Sequence, residues 1–65
     1  MANYSYWHTY VEGDRRADVI RTEPNGVWGI EMFINGELRK RELYEGHSEV
    51  YAENAAENFV MGIKN

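Results

Sequence analysis

The residues of this chain best suited to chemistry are two histidines and eleven acidic residues. His8 and His47 could join Glu45 or Glu49 around a metal ion, because imidazole and carboxylate groups both bind divalent ions. The spacing does not favour such a site, since the histidines are not four positions apart and the chain has no cysteine. His47 also precedes the expected helix start, where a turn role is the simpler interpretation. The sequence therefore predicts no metal site and no cofactor.

Nucleophilic and acid–base catalysis find no support in the local sequence either. Ser5 and Ser48 lack the strand–turn–helix context of a nucleophile elbow. Paired carboxylates need environments that push their pKa values apart, and many acidic residues in a short chain come close together without forming a site. The glycines lie at turns and form no phosphate-binding pattern. We predict that the protein is not an enzyme.

A basic cluster, Arg39-Lys40-Arg41, makes nucleic-acid binding the alternative function. Strand alternation places Arg39 and Arg41 on one face and Lys40 on the other, whereas binding along phosphates requires many cations on one side. Between Val19 and Val60, a tryptophan-bearing strand, a turn, a basic strand and an alanine-rich helix follow one another. This order resembles the DNA-binding arm domains of tyrosine-type phage integrases, which read DNA with the sheet face. The chain departs from that family in its acidic helix and its net charge of −4.

Length and composition limit the architecture to a single domain spanning residues 1–65. A chain this short buries only about 60% of its unfolded surface, so its core is small. The absence of cysteine suits a reducing compartment. No apolar run approaches the ~20 residues of a membrane span, and no secretory signal is visible. We expect a cytoplasmic protein that does not bind membranes.

The C-terminal stretch Glu45 to Ile63 has the pattern of one amphipathic helix. Ser48 is the expected N-cap, with its hydroxyl accepting a first-turn N–H, and Gly62 the left-handed residue that ends the helix before a hydrophobic contact from Ile63. The apolar positions recur at helical spacing and predict a stripe that packs on a sheet. They are Ala52, Ala55, Ala56, Phe59, Val60 and Ile63.

The opposite side of this helix is acidic. Glu45, Glu49, Glu53 and Glu57 are spaced by four, and no lysine or arginine lies at i+4 to balance them. We call Glu49, Glu53 and Glu57 the acidic ridge. It is interpreted either as a solvated face or as a surface that a basic partner recognises.

Upstream of the helix, the pattern is that of strands. Tyr4 to Val11 is rich in aromatic and β-branched residues, and alternation places Tyr4, Tyr6, His8 and Tyr10 on one face. The polar stretch Glu12 to Asp18 is expected to be a loop, with a short helix through Arg15 to Arg21 as the alternative.

Three further segments complete the predicted sheet. Val19–Glu23 and Val27–Ile34 are strands joined by Pro24-Asn25-Gly26, a turn with a bulge. Asn35-Gly36 is the preferred pair for a type I′ hairpin, and Glu37–Tyr44 is the return strand. The predicted fold is α+β: an antiparallel meander of three to four strands with one C-terminal helix on one face, ββββα.

A two-residue loop at Asn35-Gly36 fixes the expected register, although a bulged loop would shift it by one. The expected pairs are Phe33 with Leu38, Glu31 with Lys40, Gly29 with Glu42, and Val27 with Tyr44. The expected surface under the helix contains Trp28, Ile30, Met32, Ile34 and Leu43, with Arg39 and Arg41 lying over it.

One helix can cover only one face of this sheet, so apolar residues remain on the other. Exposed aromatic patches on small proteins tend to mark interaction sites. We predict that this face binds a protein partner or a second copy of the chain; the alternative is that the first strand folds across and closes it. The predicted contact residues are Tyr4, Tyr6, Tyr10, Val27, Phe33, Leu38 and Tyr44.

The run EGHSEVYAENAAENFVMG, after the hairpin VWGIEMFINGEL, resembles small uncharacterised proteins of tailed phages of marine cyanobacteria. The resemblance covers Asn25 to Ile63. It implies a phage accessory protein in the cytoplasm of an infected bacterium and carries no established activity. Together with the residues above, it predicts a non-enzymatic interaction module.

Overall fold

Four antiparallel strands and one helix make up the computed structural model, which describes residues 3–23 and 25–62. The elements are β1 (Asn3–Glu12), β2 (Arg15–Glu23), β3 (Trp28–Ile34), β4 (Glu37–Leu43) and α1 (Glu49–Met61). The sheet order is β1-β2-β3-β4, so every strand pairs with its neighbour in sequence. The α1 helix packs on one side of the sheet. The predicted ββββα architecture is confirmed.

The hairpin between β3 and β4 has the predicted turn. Asn35 and Gly36 both have positive φ, 55° and 79°, and Ile34 pairs with Glu37 across the turn. These are the features of a type I′ turn. Between β2 and β3, Gly26 has φ 74° and its N–H donates to the Thr22 carbonyl at 2.7 Å. The role predicted for Pro24 lies outside the described residues.

The stretch Glu12 to Asp18 is not the predicted loop, and the alternative helix through Arg15 to Arg21 is also wrong. Glu12 pairs directly with Arg15, so only Gly13 and Asp14 form the turn. The polar residues of this stretch, which favour a loop in the sequence, form hydrogen bonds within the sheet. For example, the Thr9 hydroxyl donates to Asp18 Oδ1 at 3.0 Å.

Each edge strand contains one extra residue. In β1 the pairing shifts between Tyr6 and His8, which leaves Trp7 as the bulged residue. In β4 it shifts between Leu38 and Lys40, which leaves Arg39 unpaired opposite β3. A bulge exchanges the faces of every residue that follows it.

The bulge in β4 corrects the predicted register. Phe33 pairs with Leu38 as predicted, but the later pairs are displaced by one residue: Glu31 with Arg41, Ile30 with Glu42, and Gly29 with Leu43. The Tyr44 N–H donates to the Trp28 carbonyl at 2.8 Å, so the predicted pair with Val27 is also wrong. Arg41 and Leu43 therefore lie on the face away from the helix, and not under it.

The core lies between the sheet and the apolar stripe of α1. Ala52, Ala56 and Val60 are buried as predicted, and Ala55 and Phe59 pack at the edge of the core. The small alanine side chains let the helix backbone approach the sheet closely. The sheet contributes Ala17, Val19, Ile30 and Met32 to this core.

The helix begins at Glu49, directly after the N-cap position predicted at Ser48, and the residues from Glu45 to His47 precede it. Gly46 has φ 80° and the His47 N–H donates to the Tyr44 carbonyl at 3.1 Å, so the chain turns before the helix. Ser48 occupies the N-cap position with extended backbone, but within the described residues its hydroxyl makes no capping hydrogen bond. That part of the prediction is wrong.

The C-terminal cap is confirmed. Gly62 has φ 78°, and its N–H bonds to the Asn58 and Phe59 carbonyls. The hydrophobic contact predicted for Ile63 lies outside the described residues.

In the shifted register, Gly29 packs so closely against β4 that no side chain fits there. A Cβ there would contact the Glu42 carbonyl oxygen and lie 2.8 Å from Leu43 Cδ2. We expect Gly29→Ala to lower the free energy of unfolding, measured by urea denaturation, by about 2 to 3 kcal/mol. The control is Gly36→Ala, which meets nothing within 4 Å and costs about 1 kcal/mol through its positive φ. Equal losses in the two variants would contradict the bulged register.

Candidate binding surfaces

The sheet face opposite α1 is not covered by any element of the described chain. We call it the open face. Its large apolar side chains are strongly exposed: Tyr6 by 60%, Val11 by 63%, Leu38 by 44% and Leu43 by 46%. Exposed apolar groups that share one face form a candidate contact surface.

Two buried carboxylates lie at the centre of the open face. Asp18 on β2 is directly opposite Glu31 on β3, and they are only 7% and 3% exposed. Like charges in opposed positions destabilise a sheet. Here Arg41 Nε donates to Glu31 Oε2 at 2.7 Å, while Arg16 Nη2 lies 3.5 Å from Asp18 Oδ2. The two arginines therefore balance the two carboxylates.

Aromatic rings pack against these two arginines on the open face. The Arg16 guanidinium lies 4.0 Å from the centre of the Phe33 ring, and that of Arg41 lies 4.8 Å from the Tyr4 ring. The hydroxyl end of Tyr6 lies beside Glu31, and burial there, followed by that carboxylate, raises the pKa of Tyr6. The tyrosines of β1 thus lean across the face toward the residues of β3 and β4.

This arrangement bears on the alternative in which the first strand closes the face. The β1 backbone stays at the edge of the sheet, but its side chains help to cover the middle of the face. Ile20, paired with Tyr6, is fully buried without belonging to the core under the helix. The covering is partial, since Tyr6 itself and Leu43 remain about half exposed.

The residues predicted for this surface divide between the two sides of the sheet. Tyr4, Tyr6, Phe33 and Leu38 lie on the open face. Tyr10 and Tyr44 lie on the helix side and pack against the core, because the bulges at Trp7 and Arg39 turn them there. Val27 precedes β3, and its N–H donates to Thr22 Oγ1 at 3.0 Å.

Sequence reasoning missed the charged centre of the face. Arg16 and Asp18 were assigned to a loop, although they alternate with Ala17 and Val19 and continue the strand pattern of Ile20. That period of two was the signal that could have found them.

The acidic ridge meets β1 over part of its length. His8 Nδ1 lies 2.7 Å from Glu53 Oε2 and 3.9 Å from Glu49 Oε2. A hydrogen bond from the protonated form of Glu49 to Glu53, followed by burial and the like charge of Glu53, raises the pKa of Glu49. Glu57 is exposed. His8 therefore holds Glu49 and Glu53 against β1, and only 36% and 25% of their side-chain surfaces remain exposed to a partner.

The basic cluster is matched by carboxylates. Arg39 lies 3.3 Å from Glu37, Lys40 2.9 Å from Glu42, and Arg41 is bound to Glu31. Local pairing lowers the positive potential that phosphates require.

Near the N-terminus of α1, three aromatic rings form a cluster. The Tyr51 ring stacks on His47 at 3.8 Å and meets the Tyr44 ring edge-on at 5.1 Å. The Tyr44 hydroxyl donates to Glu42 Oε1 at 2.7 Å. Burial first, and then this carboxylate, raise the pKa of Tyr44 well above its ordinary value of 10.0. Tyr44 thus serves as a structural donor beneath the helix.

No protein-family model matches the chain, and no curated protein or solved structure matches it. The resemblances to phage proteins stay predictions. Across residues 3–23 and 25–62, no helix is long and apolar enough to cross a membrane.

The Glu31–Arg41 pair generates a stability prediction. Arg41→Met removes the main partner of a carboxylate that is 3% exposed. We expect a loss of about 2 kcal/mol in the free energy of unfolding, which is less than the ~3 to 5 kcal/mol of a fully buried pair because the Arg41 side chain is 39% exposed. Adding Glu31→Gln should restore part of the loss. Arg39→Met is the control and should change stability by less than about 0.5 kcal/mol, because its pair with Glu37 is exposed.

A second prediction concerns alkaline pH. The raised pKa of Tyr44 means that the folded protein holds this proton more tightly than the unfolded chain does. The resulting stability is complete below about pH 10 and is lost as pH rises through the folded pKa. Tyr44→Phe should lower stability by about 1 kcal/mol near neutral pH and flatten the decline of the urea midpoint above about pH 10. An unaltered decline in Tyr44→Phe, or an equal flattening in Tyr51→Phe, would contradict this role.

Proposed function

We propose that the protein is a non-catalytic protein-binding module that pairs with a second copy of itself through the open face. The observation that carries this proposal is the combination of exposed apolar side chains with balanced charge on one face. The chain as a whole has a net charge of −4, so two copies repel each other in most orientations. On the open face the two arginines offset the two carboxylates.

The edges of the sheet are poorer sites for association. An open edge strand can pair with another chain, and natural sheets prevent this with bulges and charged side chains. Both edge strands here carry a bulge, at Trp7 and at Arg39. The β4 edge also carries charged groups on consecutive residues from Arg39 to Glu42. Face-to-face association is therefore favoured over edge pairing.

The size of the face limits how a second copy can cover it. The chain measures 33 × 22 × 17 Å, so a face bounded by the two longer dimensions offers at most on the order of 700 Å². Standard interfaces bury about 800 Å² on each partner. A second copy would need to use nearly the whole face, which includes both the apolar residues and the charged centre.

The composition of the face also suits two-fold symmetry. In an isologous dimer the same patch meets itself, so donors, acceptors and apolar groups must all be present on one patch. The Arg41 side chain, which is 39% exposed, supplies donors, the Tyr6 hydroxyl can donate and accept, and Leu38 and Leu43 add exposed apolar surface. Aromatic residues and arginine are also the types enriched in binding hot spots.

Sedimentation or light scattering over a wide concentration range tests this proposal. We expect the parent protein to form a dimer. Leu38→Lys with Leu43→Lys should weaken the dimer about tenfold or more, because each dimer then buries four new charges. The secondary structure should stay intact, since both side chains are more than 40% exposed.

The matched control is Val50→Lys with Met61→Lys on the helix. These residues are equally apolar and are 62% and 58% exposed, but they lie off the open face. The control should dimerise like the parent. A parent that stays monomeric at millimolar concentration would overturn the proposal, and so would equal weakening in the control.

A further inference from the structure

One cluster of metal-ligating side chains lies on the helix side of the sheet, away from the open face. His8 of β1 meets Glu49 and Glu53 on the first turns of α1. The His8 Nδ1 atom and one carboxylate oxygen from each glutamate all lie within 4.8 Å of one another. The three side chains are 52%, 36% and 25% exposed, so ions in solvent can reach them.

The geometry is close to that of a bound ion. Tetrahedral Zn²⁺ with ligands at about 2.0 to 2.2 Å holds neighbouring ligand atoms about 3.4 Å apart. The Nδ1 to Oε2 distances of 2.7 Å and 3.9 Å lie on either side of that value. All three atoms lie within 4.8 Å of one another, so no pair exceeds the tetrahedral separation by more than about 1.4 Å, a gap that side-chain rotations can close. The glutamates are one helical turn apart and so project together.

The charge of the cluster favours a dication over a simple ion pair. A protonated His8 carries one positive charge, whereas Glu49 and Glu53, when both are ionised, carry two negative charges. Among the described residues, neither glutamate has a lysine or arginine partner within salt-bridge distance. Neutral imidazole with two carboxylates carries a charge of −2, which a divalent ion balances.

The fold directs His8 to this position. Without the bulge at Trp7, strand alternation would place His8 with Tyr6 on the open face; the extra residue turns it to the helix. Bulges frequently redirect side chains next to functional sites. His8 is thereby the residue through which the edge strand reaches the acidic ridge.

A metal ion would also meet a structural need. Chains below about 70 to 80 residues seldom gain enough stability from one core, and many use disulfides or a structural metal. This chain has 65 residues and no cysteine. A cluster that joins an edge strand to the only helix of the described chain is where such an ion would act.

We infer that His8, Glu49 and Glu53 bind one divalent transition-metal ion, which fastens β1 to α1. A ligand set of one imidazole and two carboxylates suits Zn²⁺ and its neighbours, whereas Ca²⁺ takes six to eight oxygen ligands. Three protein ligands leave one position of a tetrahedral ion for water. The site is independent of the open face, so it can be tested whether or not the protein dimerises.

Calorimetric titration of the EDTA-treated full chain with Zn²⁺ tests the inference. We expect one ion per chain, and a rise in Tm of about 10 to 20 °C when free Zn²⁺ reaches about 100 times Kd. Co²⁺ in place of Zn²⁺ should give visible absorption with the intensity of a four-coordinate site. His8→Gln and Glu53→Gln should each raise Kd about tenfold or more.

The controls use the other histidine and the remaining member of the acidic ridge. His47→Gln and Glu57→Gln should leave Kd within about twofold of the parent, because neither side chain belongs to the cluster. Equal weakening by His47→Gln or Glu57→Gln would show diffuse attraction and would overturn the site. A parent Kd in the millimolar range or weaker would overturn it as well.

Discussion

An extra residue in each edge strand decides which side chains meet on the two sides of the sheet. The bulge at Trp7 sends His8 and Tyr10 toward the helix and leaves Tyr4 and Tyr6 on the open face. The bulge at Arg39 brings Arg41 opposite Glu31. Regular strands would place His8 beside Tyr6 and Lys40 opposite Glu31. Both candidate sites therefore depend on these two irregularities, which also protect the edges from pairing with other chains.

The pairing of Glu31 with Arg41 neutralises a buried charge at the centre of the open face. Removing a carboxylate from water is costly, and a buried ion pair recovers that cost only with good geometry. The short Arg41 contacts, the Tyr4 ring and the nearby Tyr6 hydroxyl supply that geometry at the surface of a single-layer sheet. A face built in this way is ordered before any partner arrives. Preorganisation of this kind lowers the entropy cost of binding.

Local chemistry makes much of the fold predictable from the sequence. Asn35-Gly36 predicts its hairpin because both residues accept positive φ, and Gly62 predicts the helix end for the same reason. The helical spacing of Ala52, Ala56 and Val60 predicts the packed stripe.

The two bulges could not be predicted in this way, because an unpaired residue in a strand depends on tertiary packing and has no signature in the local sequence pattern. The open-face network was missed for a related reason. Arg16 and Asp18 continue the period of two in β2, but polar side chains next to a glycine turn favour a loop equally well, and their partners across the sheet, Phe33 and Thr9, decide in favour of the strand. The same limit applies to His8, whose glutamate neighbours are more than 40 residues away in sequence.

We propose above that two copies of the chain meet through the open face. Isotope-filtered NMR on a mixture of labelled and unlabelled protein measures contacts between copies directly. A dimer formed through the open face should give intermolecular NOEs from the Leu38 and Leu43 methyl groups to the Tyr6 ring, and none from Val50 or Met61. Intermolecular NOEs confined to the helix, or none at concentrations where the protein is dimeric, would contradict it.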